Sequence, residues 1–155
     1  MHVTFIHIGQ LRSPFAEGVD DYLCRLKKYC KISRYAVKQE KAGKNRPPAE
    51  IRDEESHRIT RLIPKQTYVM VLDQNGEMMD SIGLAQKIQR LQNQGISSLT
   101  LIIGGAFGVA SSVIQKAHIV LSMSRMTFPH EMALLMVAEQ IYRAFSILKG
   151  ENYHK

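Results

Sequence analysis

The sequence has only two cysteines, Cys24 and Cys30, and they stand in no metal-ligand spacing. No disulfide framework or cysteine-based zinc site is expected, and both are read as reduced thiols in a cytoplasmic protein. Long apolar runs are missing too. Leu99–Ile103 and Leu134–Ala138 are far too short to span a bilayer, so no membrane partner is expected. The amino terminus, Met1-His2-Val3-Thr4-Phe5-Ile6, lacks the basic region and small-residue cleavage site of a secretory signal. Internal repeats, low-complexity tracts and linkers are not found. Residues 1–155 are therefore expected to form one domain, long enough to bury a core without staples.

What is present is globular: 45% hydrophobic and 23% charged residues, with a net charge of +7. The charge is unevenly spread. Residues 1–65 hold 14 Lys and Arg against 8 Asp and Glu, whereas residues 66–155 hold 7 against 6. Most of the excess lies between Arg25 and Arg46, where nine cations are opposed in sequence only by Glu40. Clustered cations attract phosphate backbones and release their counterions, so a polyanion partner is expected. A solvated basic surface is the plainer alternative.

Short β-type runs alternate with helical patterns along the chain. Val3–Ile8, Ile32–Val37, Thr67–Leu72, Ser98–Ile103 and His118–Ser122 read as strands. Helices are expected from Ser13-Pro14 towards Cys30, over 49–63, over 81–93, near 110–117 and over 131–149. Asp73-Gln74-Asn75-Gly76 reads as a turn, and Lys41–Pro48 as a basic loop. This rhythm predicts an α/β domain with a largely parallel sheet flanked by helices, the most apolar strand, Ser98–Ile103, at its centre. In such sheets ligands bind beyond the carboxyl ends of the strands. That brings together three loops: Leu72–Gly76, Gly104–Gly108 and Met123–Pro129.

Gly104-Gly105-Ala106-Phe107-Gly108 follows a strand and allows close backbone approach to a ligand. It does not have the spacing of a dinucleotide fingerprint, and no acid occurs between Gly105 and Phe128 to hold a ribose. The segment Leu121–Glu131 stays apolar through Met123, Met126 and Phe128, which suits a flat aromatic ligand such as adenine or, equally, a buried connection at a dimer interface.

Ile102-Ile103-Gly104-Gly105, Leu121-Ser122 and Met126-Thr127-Phe128-Pro129-His130 resemble the RlmH family of SPOUT methyltransferases. So do Glu139-Gln140-Ile141-Tyr142-Arg143-Ala144 and the closing Gly150-Glu151-Asn152-Tyr153-His154-Lys155. The resemblance covers the whole chain. It implies a C-terminal trefoil knot, S-adenosylmethionine as methyl donor, no metal and a homodimer. It also implies methylation of N3 of a pseudouridine in a stem-loop of large-subunit ribosomal RNA, with free subunit or assembled ribosome left open. By motif position the cofactor contacts would be Leu72, Gly104, Met123, Ser124, Arg125, Met126, Thr127 and Phe128, and the catalytic side Arg143, Tyr153 and His154. The chain departs from the family at Leu134 and Gln10, where an arginine and a lysine are usual. Removal of the N3 proton calls for a base or a group that stabilises the imide anion, and His154 and Arg143 are both of suitable type. A SPOUT enzyme acting on another RNA such as tRNA, and a non-catalytic basic RNA-binding module, are the alternatives. Without the resemblance, Tyr153-His154-Lys155 reads as a frayed end.

Overall fold

In β1 (His2–Ile8) the alternation of side chains sends Val3 and Phe5 to one face and Ile6 and Ile8 to the other, with all four fully buried. A strand apolar on both sides needs cover on both sides, and the rest of the chain supplies it. The computed structural model describes residues 1–43 and 46–155. After β1 come α1 (Phe15–Leu26), β2 (Lys31–Val37), α2 (Pro48–Leu62), β3 (Tyr68–Met78), α3 (Ser81–Asn93), β4 (Ser98–Ile103), α4 (Ser111–Ile114), β5 (Ile119–Ser122) and α5 (His130–Leu148).

The five strands pair in the order β2-β1-β4-β3-β5, and every pair is parallel. β4 is central, as its apolarity requires: each residue from Leu99 to Ile103 is at most 2% exposed. The core on one face joins Val3, Phe5, Leu99 and Leu101 to α1, α3 and α5. The smaller core on the other joins Ile6, Ile8, Val71 and Ile102 to Ile59 of α2 and Val113 of α4.

Local chemistry sets the ends. The Asp80 carboxylate accepts the Gly83 N–H at 2.6 Å and caps α3, and Gly95, with φ +76°, follows its last turn. At α1, which the sequence reading starts from Ser13-Pro14, Ser13 does not cap the helix. Pro14 takes the cap position, and the Ser13 hydroxyl donates to Glu17 instead.

β3 is the clearest departure from the sequence reading. It runs on through Asp73–Gly76 to Met78, with a shift of register against β5 between Leu72 and Glu77. Gly76 makes this possible: a Cβ there would stand 2.6 Å from the Val120 carbonyl oxygen. Leu134 is fully buried in the larger core, so a cation at that position would be charged in an apolar interior. Cys24 is exposed and Cys30 buried; burial pushes the Cys30 thiol up to about 11. Among the described residues, no helix is long and apolar enough to cross a membrane.

Candidate functional site

The carboxyl ends of β4 and β5, with the middle of β3 where its register against β5 shifts, open into a cleft of about 690 Å³. Its walls are the three loops that the strand pattern brings together. β3 gives Leu72, Asp73 and Gln74; β4 gives Ile103 and Gly104–Gly108; β5 gives Met123, Ser124 and Met126–His130.

Each loop is folded onto itself or its neighbour by hydrogen bonds. The Gly108 N–H donates to the Gly105 carbonyl at 3.0 Å, which closes the glycine loop. A Cβ on Gly104 would stand 2.7 Å from the Gly108 carbonyl carbon, so that position has room only for hydrogen. Behind Gly105 lies Glu55, 2% exposed, with one carboxylate oxygen on the Glu40 N–H and the other unpartnered; burial raises its pKa. The Ser124 hydroxyl accepts the Met126 N–H at 3.0 Å and turns the third loop. The cleft combines backbone edges with apolar surface, including Met126 at 73% and Phe107 at 38% exposure. Asp73 is the one carboxylate on its wall.

Of the eight residues assigned to the cofactor, Leu72, Gly104, Met123, Ser124, Met126, Thr127 and Phe128 line this cleft. Arg125 does not. Its guanidinium donates to the Gln74 carbonyl at 2.9 Å and ties the β5 loop to β3. Asp73 and Phe107 lie within two of the three loops that the strand pattern singled out, though neither was named as a contact, and His130 lies one residue beyond the third.

Arg143, Tyr153 and His154 are brought together, but elsewhere. Thirteen residues along α5 separate Arg143 from His130, about 20 Å at the rise of a helix. There the Glu139 carboxylate accepts Arg143 Nε at 2.9 Å, Arg143 Nη2 at 2.5 Å and the Tyr153 hydroxyl at 3.0 Å. Tyr153 also meets the Tyr22 hydroxyl at 3.2 Å, and its ring packs edge-on against Tyr142. Burial, then these hydrogen bonds, raises the Tyr153 pKa. Glu151 accepts from Lys28 at 2.8 Å and from Tyr29 at 2.6 Å. His154 Nδ1 lies 3.4 Å from Arg143 Nη1. The tail is thus anchored to α1 and α5 rather than frayed.

The basic cluster is also altered by the fold. Arg25 pairs with Asp21, Lys28 with Glu151, and Arg34 with Asp20, while Arg46 pairs with Glu40, Glu50 and Glu54. Four of the nine cations thereby have carboxylate partners, three of which owe nothing to Glu40. Lys44 lies outside the described residues.

A family model described as "Predicted SPOUT methyltransferase" matches residues 1–154. A protein of Halothermothrix orenii called ribosomal RNA large subunit methyltransferase H is 41% identical over the whole of both chains. One of the same name from Desulforamulus reducens is 38% identical over 99% of this chain and 98% of its own. Among solved structures, a probable methylase family protein of Haemophilus influenzae shares the fold at a TM-score of 0.54. It is 11% identical, over 99% of this chain and 70% of that one. A probable methyltransferase of Bordetella pertussis also gives 0.54, at 14% identity over 92% of this chain and 93% of its own. The matches run the length of a chain whose sheet, glycine loop and anchored tail have been described, and the chain belongs to the SPOUT methyltransferase family.

Proposed function

We propose that this protein uses S-adenosylmethionine to methylate N3 of a pseudouridine in a stem-loop of large-subunit ribosomal RNA. The observation that carries the reading is the cleft between the ends of β4 and β5 and the middle of β3, in a chain whose full-length relatives bear the name of a ribosomal RNA methyltransferase. S-adenosylmethionine supplies a methyl group already activated on a sulfonium. The cleft fits such a group: exposed apolar side chains suit an adenine, and Gly104–Gly108 leaves backbone edges open to it. Leu72, Met126 and Phe128 would hold the ring, and Asp73 would meet hydroxyl or ammonium groups.

The acceptor needs an aligned base and a path for the N3 proton. Arg143, Tyr153 and His154 carry suitable groups, and Glu139 fixes two of them. They lie too far along α5 to serve the cleft of their own protomer. A homodimer resolves this. An apolar groove runs from Leu121 and Met123 at the cleft past Leu135 and Met136 to Glu139 and Tyr22. Met78 and Ile82 are exposed at 56% and 46%. An isologous interface across this face would cover the groove and bring one protomer's tail towards the cleft of the other. The return of the chain from β5 across the sheet as α5 is, on the same reading, the place of the trefoil knot.

The test is transfer of labelled methyl to ribosomes from a strain lacking this protein, followed by mapping of the modified base. A single N3-methylated pseudouridine in large-subunit RNA is expected. Methylation of tRNA alone would replace the substrate, and absence of both transfer and S-adenosylmethionine binding would overturn the enzymatic reading.

A further inference from the structure

The buried residues of α2 are Ile51, Glu55, Ser56 and Ile59. The two isoleucines seat the helix, Ile59 within the smaller core. A helix that needed only a seat would be apolar at the other two positions as well, because burying a carboxylate is costly unless its oxygens are paired. Glu55 and Ser56 instead stand behind the glycine loop of the cleft. A Cβ on Gly105 would be 2.8 Å from Glu55 Oε2, and the Ala110 N–H donates to Ser56 Oγ at 2.7 Å. Among the described residues, that bond is the one tying the stretch 104–110 to another element; its remaining hydrogen bonds lie within its own turn and the start of α4.

The same helix holds the start of the basic segment. Glu55 Oε1 accepts the Glu40 N–H at 2.9 Å, and Arg58 Nη1 donates to the Lys38 carbonyl at 3.0 Å. The Glu40 carboxylate in turn pairs with both Arg46 and Arg58. Lys38 and Lys41 are exposed and have no carboxylate partner among the described residues, which leaves them for phosphates. One carboxylate therefore reaches both places, with Oε1 on the basic segment and Oε2 against the cleft. Oε2 is buried and unpaired, a rare state in native proteins that asks for a reason. An acceptor kept open beside a loop is one that the loop can use when a ligand draws it into another position.

We propose that Glu55 and Ser56 position the glycine loop for the cofactor, and that α2 links this loop to the basic segment. RNA on Lys38 and Lys41 and cofactor in the cleft would then each tighten the binding of the other. The proposal rests on the methyltransferase reading above and adds to it how the two substrates are coupled. A helix moves as one body, so whatever fixes Lys38 and Glu40 also fixes the Glu55 side chain and the space behind Gly105. Such coupling is reciprocal by linkage.

The experiment is equilibrium dialysis of labelled S-adenosylhomocysteine with the full chain, alone and with ribosomes from a strain lacking this protein. Wild-type affinity should rise about fivefold or more when ribosomes are present. Two variants break the link at different points. Glu55→Gln keeps an oxygen for the Glu40 N–H and puts an amide nitrogen in place of the acceptor beside Gly105. Arg58→Ala, at a partly exposed position, frees the Lys38 carbonyl without touching the cleft, and it decides the matter alone if Glu55→Gln does not fold. In both, the gain from ribosomes should fall below about twofold, and in Arg58→Ala the affinity without ribosomes should be unchanged. A purely structural role would shift both affinities together and leave their ratio as it was. A wild-type gain below about twofold, or the full gain in either variant, overturns the link and leaves the methyltransferase reading standing. Wild-type protein that binds no S-adenosylhomocysteine removes both.

Discussion

The two ends of α5 are built in opposite ways. At its amino end, by the cleft, His130 Nε2 is unpaired, His7 behind it is nearly so, and Met126 and Phe107 stand in solvent. At its carboxyl end Glu139 takes three hydrogen bonds from Arg143 and Tyr153, and Glu151 takes two from Lys28 and Tyr29. A region whose polar groups satisfy one another is preorganised before anything binds. A region with open valences is organised to be completed by a ligand. The cleft is of the second kind and the tail of the first.

Breaking the tail should therefore cost chemistry and little else. Deleting residues 151–155 is expected to lower turnover on ribosomes by a factor on the order of 10² or more, while S-adenosylmethionine binding is retained. If sites are shared between protomers, mixing this inactive chain with an inactive Gly104→Val chain should restore some methyl transfer. Full turnover in the deletion would remove Tyr153 and His154 from the catalytic assignment.

Acid should separate the two ends by stability. Burial, above all, holds the His7 pKa down at about 4, below the ordinary 6.5. The unfolded chain takes up a proton in that interval that the native state refuses. Stability is then full above pH 6.5 and is lost as pH falls towards 4, by up to about 3 kcal/mol. Denaturant titrations at several pH values should show this slope, and His7→Gln should flatten it. An identical slope in the variant would place the acid sensitivity elsewhere.

The smallest effect expected is on the basic surface. Arg46, held by three carboxylates, is structural, and the cations to test are Lys27, Lys31 and Lys41. Neutralising all three should reduce the slope of log affinity for RNA against log salt by about two, with cofactor affinity unchanged. An unchanged slope makes them a solvated face.

Much of the scaffold was legible because it is local. The spans 81–93 and 98–103 match α3 and β4 residue for residue, since Asp80, Gly95 and an unbroken apolar run mark them from within. The extension of β3 was not legible. Asp73–Gly76 carries every sign of a turn, and only contact with the backbone of Val120 and Leu121 shows why it continues as strand. The neutralised cations were hidden for the same reason: Lys28 and Glu151 are 123 positions apart. The three-loop cleft was visible from strand order, whereas the hold of α2 on its glycine loop depends on Glu55 and Ser56 meeting Gly105 and Ala110, which no spacing in the chain announces. Arg125 shows the limit of assignment by motif, because its guanidinium braces the loop instead of facing the cleft.

The borders of the sheet carry a last consequence, for association. Its outermost strands are β2, studded with exposed Lys31, Arg34 and Tyr35, and β5, only four residues long. Charged or very short edges are poor templates for a further strand. Two copies would not readily join by running their sheets into one, so the chain is protected from open-ended fibrous stacking. A homodimer, if formed, would then use helical surfaces, where a two-fold contact closes after a single partner and goes no further.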